Sequence, residues 1–83
     1  MAGAGSYGRP VKRSVTIAGH ETSVSLEPDF WALLEKAAAA RGVPVNALIA
    51  RIDAGRLESQ PTPNLTSALR QWLLRQALGG GED

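Results

Sequence analysis

The chain contains no cysteine, and only four of its 83 residues are aromatic. Without cysteine it forms neither a disulfide nor a thiolate metal site, and its one histidine, His20, cannot build a zinc site alone. Thirteen of its apolar residues are alanine, and a chain this short buries little core and commonly needs a partner subunit. The composition therefore predicts one small domain without metal or cofactor, stabilised as an obligate homodimer.

Long apolar runs are also missing. No stretch approaches the ~18 residues of a membrane span, and residues 1–6 lack the apolar segment of a signal peptide. The absence of cysteine fits a reducing compartment. We therefore expect a cytoplasmic protein.

The sequence offers no recognisable catalytic set. No nucleophile stands at a recognisable spacing from His20. Gly3, Gly5 and Gly8 do not form a phosphate loop, because no strand precedes them and no Gly-Lys-Ser/Thr follows. The acidic residues fall on predicted solvent faces. We therefore do not expect an enzyme.

Charge is unevenly distributed, although the net charge is only +1. Residues 1–20 carry three bases, Arg9, Lys12 and Arg13, and no acid, whereas residues 21–60 carry six acids against four bases. Such a basic arm is either a solvated tail or a set of phosphate contacts for a nucleic acid. The charge pattern alone does not decide between the two.

Polar and apolar residues alternate from residue 11 to residue 26. In the second half of this stretch, Thr22, Val24 and Leu26 share one face of a predicted strand. The first half alternates likewise, and Ala18-Gly19 is a candidate two-residue hairpin turn that pairs residues 11–17 with residues 20–26. A hairpin with this turn collects six polar residues on its other face: Lys12, Ser14, Thr16, Glu21, Ser23 and Ser25. The alternative is a single strand, residues 21–26, preceded by a loose arm.

Three helices are predicted after the strand region. Pro28 suits the first turn of a helix that ends at Gly42, a left-handed C-cap. Pro44 opens a second helix, which Gly55 weakens near its end, and Asn64 caps a third. The apolar stripes of the three helices are Phe30, Leu33, Leu34, Ala37 and Ala38; Val45, Leu48, Ile49 and Ile52; and Leu65, Leu69, Trp72 and Leu73. Leu74 and Leu78 lie off the third stripe and indicate a second buried contact.

These patterns divide the chain into five segments. Residues 1–10 form a disordered tail, residues 11–57 a core that begins with the basic arm or strand, and residues 58–63 a linker. Residues 64–78 form a C-terminal helix, and residues 79–83 a flexible end. The predicted fold class is mostly α with a short β ribbon.

The order strand, helix, glycine turn and helix resembles the core of the ribbon-helix-helix family of DNA-binding proteins, in particular its short stand-alone bacterial members. The resemblance spans roughly residues 20–55 and rests on residues 23–31 and 41–49, and on the sixteen positions from Leu26 to Gly42. It implies a homodimer in which each chain lends one strand to an antiparallel ribbon. That ribbon enters the major groove of double-stranded DNA.

The resemblance also implies three sets of site residues. The base-reading face is Glu21, Ser23 and Ser25. The phosphate contacts are Arg9, Lys12 and Arg13 of the arm, and Val45 and Asn46 at the start of the second helix, where free N–H groups attract anions. The dimer core is Thr22, Val24, Leu26, Phe30, Leu34, Leu48, Ile49 and Ile52, and the third helix packs outside it through Leu69, Trp72 and Leu73.

Three features depart from the family pattern. Pro44 stands where a capping Ser or Thr is common, and it has no N–H to offer a phosphate. The base-reading trio contains no Arg or Lys. If residues 11–17 pair with residues 20–26, two chains joined edge to edge have four strands. They would span ~15 Å, more than the ~12 Å width of the major groove.

The predicted function is that of a homodimeric DNA-binding protein and transcriptional regulator that inserts a β ribbon into the major groove. The alternative is a protein–protein interaction module or an antitoxin-like protein. In that alternative, the sheet face or the C-terminal helix of the same dimeric fold docks onto a protein partner.

Overall fold

Two strands followed by three helices make up the computed structural model, which describes residues 8–79. Strand β1 covers Val11–Ile17 and strand β2 covers His20–Leu26. Helix α1 covers Pro28–Arg41, α2 covers Val45–Leu57 and α3 covers Leu65–Ala77. Most of the predicted disordered tail, residues 1–7, and most of the predicted flexible end, residues 80–83, lie outside the described residues.

Strands β1 and β2 form an antiparallel hairpin in the predicted register, from Val11 opposite Leu26 to Ile17 opposite His20. The hairpin interpretation is therefore confirmed over a single strand with a loose arm. Ala18 and Gly19 both have positive φ angles, 51° and 83°, as the two central residues of a type I′ hairpin turn do. That turn twists in the same sense as the strands, and it fixes which side chains share a face.

One face of the hairpin packs on the helices, with Val15, Val24 and Leu26 buried. Thr22 was predicted on this covered face, but its side chain is exposed. Helix α2 packs against β1, and at this level of the hairpin Val15 is buried while Thr22, its neighbour across the ladder, is exposed to solvent.

Helix α1 ends as predicted, at Gly42 with φ 69°, whose N–H donates to the carbonyls of Ala38 and Ala39. Its buried side differs from the predicted stripe, because Trp31 is buried and Leu33 is 42% exposed. The indole N–H of Trp31 donates to the carbonyl of Val11 at 2.8 Å. This bond anchors Trp31 on the first strand, and the buried side of α1 is the one that carries Trp31, Leu34 and Ala38.

Helices α2 and α3 complete the core. Helix α2 continues through Gly55 to Leu57, and Asn64 caps α3 as predicted, its side chain accepting from the N–H of Ser67 at 2.8 Å. The expectation that the third helix packs outside the core is wrong. Its three buried residues belong to one hydrophobic cluster with the strands and the other two helices: Leu69, Trp72 and Leu73.

Within residues 8–79, no helix is long and apolar enough to cross a membrane. The same part of the chain contains no group of three or more His, Cys, Asp or Glu side chains that could hold a metal ion.

Candidate nucleic-acid interface

The outer face of the hairpin is a polar surface on the side away from the helices. Because side chains alternate along each strand, the ladder places the six polar side chains in three cross-strand pairs. These pairs are Lys12 with Ser25, Ser14 with Ser23, and Thr16 with Glu21. Ser25 is half-buried and the other five are exposed. The predicted base-reading trio of Glu21, Ser23 and Ser25 is therefore one half of a larger surface, which we call the outer ribbon face.

The two charges of the outer ribbon face lie at opposite ends. Lys12 is near the open end of the hairpin, where Arg9 precedes the first strand, and Glu21 is beside the turn. Neither the side chain of Lys12 nor that of Glu21 has a hydrogen bond or ion pair with another residue of the described part of the chain. The cationic end therefore remains available to a phosphate or to a base edge.

Arg13 lies on the other side of the hairpin, away from this surface. Its guanidinium carbon is 4.5 Å from the centre of the Trp31 ring, and its Nη1 is 2.9 Å from Oε2 of Glu35. The structure thus separates the three predicted phosphate contacts of the arm. Arg9 and Lys12 are exposed and point away from any described partner, whereas Arg13 links β1 to α1.

The N-terminus of α2 has no capping side chain, so its first backbone N–H groups can bind an anion. Pro44 occupies the N-cap position and supplies no side-chain hydrogen bond, and the first turn contains no acidic residue. The first N–H groups of a helix have no acceptor within the helix, so those of Val45 and Asn46 face outward. The side chain of Asn46 is exposed and that of Val45 is half-buried.

Six of the eight residues predicted to form a dimer core are buried within the single chain: Val24, Leu26, Leu34, Leu48, Ile49 and Ile52. Phe30 is half-buried and Thr22 is exposed. Strand β1 and helix α3 cover this cluster from the same polypeptide. A second copy can reach it only if one of those two elements moves away.

The base of the hairpin is tied to the third helix by one ion pair. Nη2 of Arg70 donates to Oε1 of Glu27 at 2.8 Å, immediately after the second strand. The hydrogen bond from Arg70 is the main reason that the pKa of Glu27 is lowered from its usual value of 4.5, and the backbone adds to it. Arg70 also lies 5.5 Å from the centre of the Phe30 ring, so it links the end of β2, α1 and α3.

The contribution of β1 to the outer ribbon face is the part that the family resemblance left out. The family resemblance implies one strand per chain. It therefore assigns no DNA contact to Ser14 and Thr16, and it treats Lys12 as a phosphate contact of the arm. The signal that identifies them is the alternation upstream of Ala18-Gly19, which predicts a second strand from the sequence itself.

The ribbon-helix-helix domain family matches residues 10–77, and so includes the hairpin and all three helices. Neither curated proteins nor solved structures give a match to this chain. Members of this family are generally DNA-binding transcription regulators or antitoxins and are typically not enzymes. By the extent of this match, the chain belongs to the ribbon-helix-helix domain family.

Proposed function

We propose that this protein binds double-stranded DNA by inserting its own hairpin into the major groove, and that it acts as a transcriptional regulator. The observation that carries the proposal is the outer ribbon face, a polar two-stranded surface made by one chain. Two strands lie about 4.8 Å apart, and the major groove, about 12 Å wide, admits a two-stranded ribbon. The width problem of a four-stranded sheet does not arise when one hairpin enters alone.

The side chains of this face suit base edges. Ser14, Ser23 and Ser25 donate and accept hydrogen bonds, and Lys12 pairs with the acceptors of guanine. Glu21 accepts a hydrogen bond from the amino group of cytosine. Lys12 on β1 therefore supplies a cation, which the predicted base-reading residues of β2 do not.

Phosphate contacts complete the proposed interface. Arg9 and Lys12 lie at the open end of the hairpin, and Val45 and Asn46 present free backbone N–H groups at the start of α2. Cationic contacts of this kind release counterions, so the affinity falls steeply as salt rises. We assign no such contact to Arg13, since Glu35 already neutralises it.

The first experiment selects sheared genomic DNA on the purified protein at physiological salt and sequences what is retained. A recovered duplex is then titrated by fluorescence anisotropy at several salt concentrations. Lys12→Ala should weaken binding and lower the slope of log affinity against log salt by about one. The matched control is Lys36→Ala, which removes the same charge from the exposed face of α1 and should leave the slope unchanged.

Two results would overturn this proposal. One is that folded protein retains no duplex at all. The other is that Lys12→Ala and Lys36→Ala lower the slope equally, because a general charge effect would then explain the binding. In the first case the family's other function, an antitoxin-like contact with a protein, becomes the better explanation.

The proposed homodimer requires a surface other than the filled core. Helices α1 and α3 form a largely apolar groove of about 320 Å³, lined by Phe30, Leu33, Leu73, Leu74 and Ala77 together with Arg70 and Gln71. Leu74 in its wall is 58% exposed, and Leu78, just after α3, is 77% exposed. Within one chain neither leucine has the second buried contact that the sequence indicated, so we assign that contact to a second copy at this α1/α3 groove.

A second copy of this chain fits the groove because the surface carries both a projection and a recess. A two-fold interface uses the same patch on both copies, so each leucine ridge enters the groove of the other.

Sedimentation equilibrium tests this interface. We expect the wild-type protein to be a dimer at micromolar concentration and Leu74→Glu to be a monomer, since a charge cannot be buried unpaired between two apolar faces. Leu57→Glu is the control, because Leu57 on α2 is also 58% exposed but lies away from the groove. A monomeric wild-type protein, or a Leu74→Glu variant that remains dimeric, contradicts the assignment.

A further inference from the structure

A second concave site lies on another side of the molecule, between α2, the following linker and α3. It is a cleft of about 180 Å³. Three arginines contribute to its lining, Arg51 and Arg56 from α2 and Arg75 from α3, and no acidic residue lines it. Ser59 and Gln71 add polar side chains, and Trp72 forms part of the wall. The outer ribbon face contributes no residue to this cleft.

The three guanidinium groups are held differently. Arg56 is fixed in place, because its Nε donates to Asp53 at 2.8 Å and its Nη1 donates to the carbonyl of Pro63 at 3.2 Å. The side chains of Arg51 and Arg75 have no hydrogen bond or ion pair with any other residue in the range 8–79. Asp53 offsets one charge, so two uncompensated cations remain at the cleft.

Three other arginines of the chain stabilise the fold through contacts of their guanidinium groups. Arg13 and Arg70 each pair with a glutamate and lie over an aromatic ring. Arg41 donates to the carbonyl of Ala37 and to Gln76, and its guanidinium lies over the Trp72 ring. Arg51 and Arg75 make no such contacts. Their convergence with Arg56 therefore adds repulsion to the fold and no internal bond.

We propose that the cleft lined by Arg51, Arg56 and Arg75 binds an anion of the phosphate class. A guanidinium offers paired N–H donors that match two oxygens of a phosphate, and Arg56 is already oriented by Asp53 and Pro63. The cleft has room for a phosphate group, and because it is open to solvent the rest of a ligand can extend outside it.

The bound anion joins α2 to α3 across the linker. Arg51 and Arg56 belong to one helix and Arg75 to the other, so the ligand neutralises a repulsion between elements that both contribute to the core. Because the anion binds only the folded arrangement, it stabilises the fold by mass action. The same chemistry has two sources, a free phosphorylated molecule and a phosphate of the DNA backbone.

The test titrates inorganic phosphate into the full chain at constant ionic strength, with chloride as the compensating ion, and records the unfolding temperature. For the wild-type protein we expect a saturable rise of about 5 °C. The double variant Arg51→Gln with Arg75→Gln should keep less than a quarter of this rise. The control Lys36→Glu lowers the net charge by the same two units at an exposed residue outside the cleft and should keep all of it.

The proposal is overturned if the Arg51/Arg75 variant and Lys36→Glu respond equally to phosphate. The three substituted side chains are exposed, so both variants should fold, and circular dichroism checks this. A normal spectrum together with a lost phosphate response in the Arg51/Arg75 variant supports the site.

The source of the phosphate is separated by a DNA titration of the same variants. If the cleft holds a backbone phosphate, the Arg51/Arg75 variant lowers the slope of log affinity against log salt by about one to two. If the slope is unchanged while phosphate still raises the unfolding temperature, the ligand is a free phosphorylated molecule. A failure of DNA binding altogether would count against the proposed function and leave the phosphate result standing.

Discussion

Arginine side chains join parts of this small protein that are distant in sequence. Arg13 reaches Glu35 and the Trp31 ring, and Arg70 reaches Glu27, 43 positions away. A guanidinium over an aromatic ring gains from the negative face of the ring while keeping its hydrogen bonds. No local pattern predicts such pairs, because long side chains choose their partners only after the helices have packed.

The pair of Glu27 and Arg70 gives stability a pH dependence with a definite sign. Arg70 lowers the pKa of Glu27 below its unfolded value of 4.5. The contribution is therefore complete above about pH 4.5 and is lost as the pH falls through the lower folded value. Glu27→Gln should be less stable than wild type at pH 7, and the gap should shrink at pH 3. Urea midpoints at both pH values measure this, and a gap that widens at low pH would contradict the assignment.

At the level of elements, local signals predicted most of the fold. The Ala18-Gly19 turn and the alternation on both sides set the register of the hairpin, and Gly42 and Asn64 mark helix ends where the structure has them. The rotation of α1 was not predictable. Phe30, Trp31, Leu33 and Leu34 place apolar side chains on several sides of the helix, and only the packing of the folded chain, including the bond from Trp31 to Val11, shows which side is buried.

The hairpin turn holds Ala18 in a left-handed backbone conformation that is unfavourable for alanine. Ala18 has φ 51°, and a left-handed conformation costs an alanine roughly 1–2 kcal/mol, whereas asparagine tolerates it. Ala18→Asn should stabilise the fold by about 1 kcal/mol and raise the unfolding temperature by about 4–8 °C.

Calorimetry of Ala18→Asn measures that shift. The control, Ala39→Asn on the exposed side of α1, should be slightly destabilising, because asparagine is a poorer helix former than alanine. If Ala18→Asn also lowers the unfolding temperature, the turn does not have the proposed conformation in solution.

In the whole molecule, one core unites all five elements. The sequence predicted the apolar stripes of α2 and α3, and Leu48, Ile49, Leu69 and Leu73 are buried as expected. It did not predict that α3 would fill the core of its own chain. Periodicity shows which side of a helix is apolar, but it does not show what lies against that side.

Because the core is single, one charge inside it should unfold the whole chain. Ile49 is fully buried, and an unpaired carboxylate there costs about 3–5 kcal/mol or more, a large share of the stability of a small domain. Ile49→Asp should lose its native circular dichroism spectrum and its self-association together. Ala47→Asp, exposed in the first turn of the same helix, should fold normally. A folded, monomeric Ile49→Asp protein would refute this account of the core.

A hairpin that supplies both strands of the ribbon frees the two strands to evolve separately. When two identical chains each lend one strand, every substitution appears twice and the surface keeps two-fold symmetry. Here Lys12 faces Ser25 and Thr16 faces Glu21, so two of the three cross-strand pairs join unlike side chains, and a mutation changes one position of a hairpin and leaves its neighbour alone. If this surface binds DNA as proposed, each copy of the homodimer can read a half-site that is not itself a palindrome, and its preference can change one base pair at a time.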